Sequence, residues 1–179
     1  MNQSFCGGMM GRTEKVSLCT ALQKLYDEHT PLRKQMEEFY VVAQELKQID
    51  EKESGSDKWK DLVSRVTTFE SELSPHSERE EGILFPMMAR YIGRETGPIA
   101  VMEYEHDQAK GYLRAFLNEA PHQADADTQR KIKLADFAIQ AFLILRDHFH
   151  KEENILFPMA EQFLTNEEKE ELGRLFNKQ

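Results

Sequence analysis

One segment occurs twice in this chain. Residues 76–86 read HSEREEGILFP and residues 148–158 read HFHKEENILFP, the shared pattern H-x3-E-E-x-I-L-F-P recurring at an offset of 72. A His and a Glu four residues apart stack on one face of a helix, offset by about 40° at about 100° per residue. The repeat therefore sets His76 beside Glu80 and His148 beside Glu152. The second acid of each copy, Glu81 or Glu153, lies about 140° round from the His and is expected to face elsewhere. A fainter echo, YDEHTPL around His29 and YEHDQAK around His106, recurs at an offset of 77. Two related halves follow, each giving a lone His and then a His-x3-Glu pair.

The surroundings are helical. Spacings alternating between 3 and 4 mark a helix seam packed into a bundle. The first seam is Leu22, Leu25, His29, Leu32, Met36, Phe39, Ala43 and Leu46. The second is Trp59, Leu62, Val66, Phe69, Leu73, His76, Glu80, Ile83 and Met87. Ile99, Met102, His106, Ala109, Leu113, Phe116 and Ala120 form the third. The fourth is Leu134, Ala138, Ala141, Leu145, His148, Glu152, Ile155 and Met159. Breaks are expected at Glu51–Lys58, Gly93–Pro98 and Pro121–Asp127, and short connections make successive helices antiparallel neighbours. Thr165 with Glu168 is a capping-box signature for a short last helix, with Leu172, Leu175 and Phe176 on its apolar side. The predicted fold is all-α, an up-down-up-down four-helix bundle with a short C-terminal helix. It occupies residues 1–179 as one domain, with 1–16 a mobile N-terminal segment. Pro31, Pro75, Pro86 and Pro158 fall inside predicted helices and should bend them near the level of the histidines.

Composition narrows the function. With 23 Lys plus Arg against 32 Asp plus Glu, the net charge is −9. That balance disfavours phosphate neutralisation on nucleic acid and docking on anionic membranes. No run approaches the ~18 apolar residues of a membrane span. Met1–Arg12 lacks the charged start and apolar centre of a secretory signal. Cys6 and Cys19 form no C-x-x-C pair, and a reducing cytoplasm is the expected compartment.

The seams thus carry His29, His76, Glu80, His106, His148 and Glu152 where apolar residues belong. Burying ionised carboxylates without compensation costs several kcal/mol or more, on the order of the whole stability of a domain. A metal cluster is the simplest compensation. Four imidazoles and two carboxylates suit two ions better than one, each taking two His nitrogens and two oxygens if both glutamates bridge. A mixed N/O set without thiolate favours iron over structural zinc, with zinc or a mixed filling as the substitute. Outside this set, His122 is expected in solvent and His150 on another helix face. Phe85, Phe157 and Tyr26 are expected in the core. Glu103 is expected at the surface, and Glu28 and Glu105 on solvated faces.

At these residues the chain resembles the hemerythrin family, the HHE cation-binding domain, over roughly residues 18–164. The resemblance implies a non-haem di-iron centre with a solvent-derived bridge, binding small ligands such as O2 or NO at an open iron position. Oxygen-carrying members have His-x3-His on the third helix and His-x4-Asp on the fourth. Here Lys110 stands four after His106, and Glu152 four after His148. The four-His, two-Glu set is similar to repair-of-iron-centres proteins and to iron-sensing hemerythrin-like domains. Repair proteins usually carry an N-terminal domain with vicinal cysteines, whereas here Cys6 is followed by Gly7 and Gly8. The implied function is binding or sensing of O2, NO, peroxide or iron, leaning away from an enzyme. The alternatives are a di-iron redox enzyme or iron-sulfur cluster repair protein, and a regulatory helical interaction module with a metal site and an unidentified protein partner.

Overall fold

A computed structural model describes residues 16–49, 56–122 and 127–178. Most of the expected mobile segment, Cys6 included, and most of the first loop lie outside the described residues. Four rods form the bundle. The first is α1 (Thr20–Lys47). The second runs through α2 (Ser56–Arg79), a π-turn at Glu80–Leu84 and α3 (Phe85–Ile92). The third is α4 (Pro98–Glu119). The fourth runs through α5 (Thr128–Lys151), a π-turn at Glu152–Leu156 and α6 (Phe157–Phe163). Helix α1 packs on α2 and α5, and α4 packs on the same two, closing a square. Among the described residues no helix is long and apolar enough to cross a membrane.

The ends are set locally. Gly93 and Gly97 take φ of 77° and 83°, a left-handed region that side chains avoid. They turn the chain into α4, whose first residue is Pro98, where the missing N–H costs nothing. Asp127 caps α5 by accepting from the Arg130 amide at 2.7 Å. Helix α2 begins at Ser56, so that Ser56–Lys58 of the expected first loop are helical.

Helix α7 (Asn166–Phe176) closes one end of the bundle, burying Leu172 and Phe176. Its N-terminus carries the full capping box, Thr165 and Glu168 each satisfying the other's backbone N–H. Thr165→Ala removes one of these bonds and should lower stability by about 1 kcal/mol. In a thermal melt of a chain this size that is a drop of roughly 2–4 °C.

The first three seams are buried as expected, and the fourth is buried as far as Glu152. Beyond it the expectation fails: Ile155 is 48% exposed and Met159 only partly buried, while Leu156, Phe157 and Ala160 are buried. The cause is the π-turn. Proline cannot donate to the carbonyl four residues back, and its ring crowds that carbonyl. Ahead of Pro86 and Pro158 the ladder widens, so that Phe85 N–H reaches the Glu80 carbonyl and Phe157 N–H that of Glu152. Each widening inserts one residue; on the fourth rod the apolar face advances to Leu156 and Ala160, and on the second Leu84 and Met88 join Ile83 and Met87 in the core. Pro31 and Pro75 lie within the unbroken helices α1 and α2.

The core divides into two apolar clusters. One is built around Trp59, Phe39, Phe69 and Phe116, the other around Leu22, Phe85, Phe157 and Phe176. Along α1 the first cluster begins at Leu32 and the second ends at Leu25, with His29 between them. The same interruption occurs on the other three rods. A polar layer therefore crosses a bundle that is apolar on both sides of it.

Candidate metal centre

That layer is where His29, His76, Glu80, His106, His148 and Glu152 converge, each at most 3% exposed. Their donor atoms form two overlapping groups: His29, His76, Glu80 and Glu152, and Glu80, His106, His148 and Glu152. Within each group the atoms lie within 4.8 Å of one another. Both glutamates belong to both groups.

What surrounds the imidazoles fixes their tautomers. Each Nδ1 meets a carboxylate from the next rod round the square. His76 meets Glu28 at 2.9 Å, His106 meets Glu81 at 2.5 Å, His148 meets Glu105 at 3.2 Å and His29 meets Glu153 at 2.8 Å. The links run from the first rod to the second, the second to the third, the third to the fourth and the fourth back to the first. Each carboxylate also holds a cation on the same helix as its histidine: Arg79, Lys110, Lys151 and Arg33 respectively. Burial alone would raise all four carboxyls, but the imidazoles and cations beside them override it. Glu28, Glu105 and Glu153 sit below the usual carboxylate range, and Glu81 is held at about 2. An ionised carboxylate only accepts, so each Nδ1–H donates and each Nε2 presents a lone pair inward.

With its imidazoles neutral, as metal ligation requires, the inward face is a set of acceptors without donors. His29 Nε2 lies 3.2 Å from His76 Nε2, and His106 Nε2 lies 2.8 Å from His148 Nε2. Glutamate oxygens approach these nitrogens at 3.0–3.5 Å. All four carboxylate oxygens of Glu80 and Glu152 are buried without a hydrogen-bond partner. Orphaned buried carboxylates are costly, and facing lone pairs repel. Charge is also poorly balanced within the layer. Burial and the neighbouring Glu152 push Glu80 well above the carboxylate range. Burial would raise Glu152 too, yet the imidazoles of His148 and His29 hold it well below that range. His148 is driven the other way: burial disfavours its charge, but Glu152 and Glu105 push it up to about 9. Burial would also lower His29, which Glu152 and Glu153 hold above its ordinary value, while it keeps His76 and His106 below theirs. Cations placed between the nitrogens and oxygens would satisfy every one of these groups at once. The residues thus fit a metal pair, on the chemistry of the donor set and the orphaned oxygens.

Two expectations are corrected here. Glu28 and Glu105 are not on solvated faces, and Glu81 and Glu153 do not face away from the layer. All four grip imidazoles of neighbouring rods. The acid next to a lone histidine turns about 100° away from it and so serves a histidine on another helix. The repeat signal was present, since the second Glu is kept in both copies of H-x3-E-E, but its partner lies across an interface. The other expectations agree. His122 and His150 are exposed, Phe85 and Phe157 fully buried, and Tyr26 packs partly buried against the core. Glu103 stays outside the layer, paired with Arg94 at 2.6 Å.

Known proteins resemble this chain. The hemerythrin HHE cation binding domain family matches residues 20–170. The iron-sulfur cluster repair protein YtfE of Musicola paradisiaca (strain Ech703) is 33% identical over 144 residues, covering 78% of this chain and 62% of the relative. The protein of that name from Pectobacterium carotovorum subsp. carotovorum (strain PC1) is 32% identical over 146 residues, with the same coverage. That from Yersinia pseudotuberculosis serotype IB (strain PB1/+) is 30% identical over 145 residues, again with 78% and 62% covered. The chain spans 62% of the length of these curated relatives. With its repeated His and Glu positions gathered in one buried layer, and a match over most of its length, the chain belongs to the hemerythrin HHE cation-binding domain family.

Proposed function

We propose that this protein holds two iron ions in the polar layer and serves in the repair of iron-sulfur clusters. The observation that carries the reading is the pair of donor groups that share both glutamates, whose four oxygens are buried without a hydrogen-bond partner. His29 and His76 would hold one ion, His106 and His148 the other, with Glu80 and Glu152 bridging. The absence of thiolate among the donors favours iron, with zinc as the competing occupant. When bound, such a pair supplies one-electron redox chemistry and exchangeable iron. The chain's own residues do the rest. Glu28, Glu81, Glu105 and Glu153 hold each imidazole in the tautomer that turns Nε2 inward. The two apolar clusters exclude water from the layer on both sides. The names of the relatives favour cluster repair over the other roles that such a centre supports.

A second reading rests on ligand count. Each ion would receive two imidazoles and two carboxylate oxygens, leaving positions free on an octahedral ion. That suits binding or sensing of O2, NO or peroxide. Burial of the donors limits such a ligand to a few atoms. The proposed setting is a reducing cytoplasm, which keeps iron ferrous and loadable.

Anaerobic loading with ferrous iron tests the centre. About two irons per chain are expected, on the donor count. Less than one per chain with no uptake would overturn the reading. The iron-loaded protein is then mixed with an enzyme whose [4Fe–4S] cluster has been damaged by peroxide. Recovery of that enzyme beyond the recovery given by equal free iron supports repair. No recovery, together with a reversible optical change under O2 or NO, supports binding or sensing instead.

A further inference from the structure

The two halves of the layer are built alike but furnished differently. The carboxylates behind His29 and His76 are held by arginines: Arg33 lies 2.8 Å from Glu153, and Arg79 lies 2.5 Å from Glu28. Those behind His106 and His148 are held by lysines, Lys110 on Glu81 and Lys151 on Glu105. The repeat makes these equivalent positions, Arg33 matching Lys110 and Arg79 matching Lys151, so each arginine on one side has a lysine on the other. The aromatic packing divides in the same way. His29 stacks on Phe149 at 4.3 Å and on Phe157 at 5.6 Å, and the Arg33 guanidinium lies 5.5 Å over the Phe149 ring. Phe149 also meets His76 edge-on at 6.0 Å and, across the layer, His148 at a tilt at 6.0 Å, but its one stacked imidazole is His29. On the other side His106 meets Phe85, the repeat equivalent of Phe157, at 5.4 Å. The repeat equivalent of Phe149 is Ser77, a small residue, also buried.

From this we infer that the two metal positions are inequivalent: the His29/His76 position fills first and holds its ion, and the His106/His148 position fills second and exchanges. The inference rests on the two-metal reading above. Its physical basis is preorganisation. A guanidinium is a rigid planar fork that loses little freedom per hydrogen bond, whereas a lysine ammonium sits on a flexible stem. His29, stacked on Phe149, and both imidazoles, whose carboxylate partners are held by guanidiniums, have less ordering left to lose when an ion arrives. On the lysine side more of that cost remains to be met at binding. The exchangeable ion is then the one available for delivery or for meeting a small ligand.

The test is a titration of the full chain with zinc(II), a diamagnetic probe, followed by the assigned imidazole NMR resonances. The expected result is two steps. The first equivalent shifts His29 and His76, the second shifts His106 and His148, and a chelator reverses the second step at least about tenfold faster, the lower range of second-sphere effects on metal affinity. If all four imidazoles shift together, or if His106 and His148 shift first, the inference falls while the two-metal reading stands. If no imidazole shifts, the two-metal reading falls with it.

Discussion

Replacing both Glu80 and Glu152 with glutamine should move stability in opposite directions with and without metal. Without added metal, the wild-type chain carries two carboxylates that are fully buried and share no hydrogen bond. Their exchange for neutral amides of the same shape removes the buried Glu152 charge and the repulsion that already pushes Glu80 above the carboxylate range. The metal-free double variant is expected to be as stable as the wild type or more so, by about 1–3 kcal/mol, the scale of an unsatisfied buried polar group. With iron present the order reverses. A ligand that binds only the folded state adds about 4 kcal/mol at a thousandfold excess over its Kd. The wild type gains that increment, and the variant, having lost both bridging groups, gains almost none. Denaturant unfolding monitored by circular dichroism, run with chelator and with ferrous iron under anaerobic conditions, reads all four values. A variant that keeps its iron-dependent increment would show that the glutamates are not ligands. His76→Ala should also lose the increment but without the metal-free gain, because it leaves a cavity in the layer and strips Glu28 of its imidazole partner, leaving it only Arg79.

Trp59→Ala should be the most damaging single change away from the layer. Trp59 is the only tryptophan, 1% exposed, and meets the Phe116 ring at 5.7 Å in the larger apolar cluster. Large aromatic truncations leave a cavity that the neighbours fill only partly, and cost about 3–5 kcal/mol. That is a large share of a stability of about 5–15 kcal/mol. Far-ultraviolet circular dichroism in denaturant checks it, since the fluorescent reporter is gone. The cavity lies in the cluster that begins one turn beyond His29. Iron stoichiometry of the folded fraction should therefore stay that of the wild type. A loss of metal equal to the loss of stability would mean that the cluster and the layer do not act as separate units.

Much of this protein is local and was therefore readable. The period of 3.6 residues announces the helices, and a polar residue recurring in an apolar seam stands out without any coordinates. His76 with Glu80 and His148 with Glu152 sit together because of the helix alone. The capping box at Thr165 is equally local, three residues from cap to partner. The π-turns were half legible. The prolines announced a disturbance, but its form depends on how the backbone finds an alternative acceptor, and so the exposure of Ile155 was missed.

The carboxylate ring is a different matter. Glu28 and His76 are 48 residues apart, and Glu153 and His29 are 124 apart. No periodicity links such pairs. Their meeting depends on which rods are neighbours, how each is rotated about its axis, and how the π-turns set the height of the second acid. Spacing along single helices is enough to give the helices, their buried faces and the six residues that interrupt those faces. Which acid supports which imidazole, and the gathering of arginines behind one histidine pair and lysines behind the other, came from packing, because those contacts cross helix interfaces.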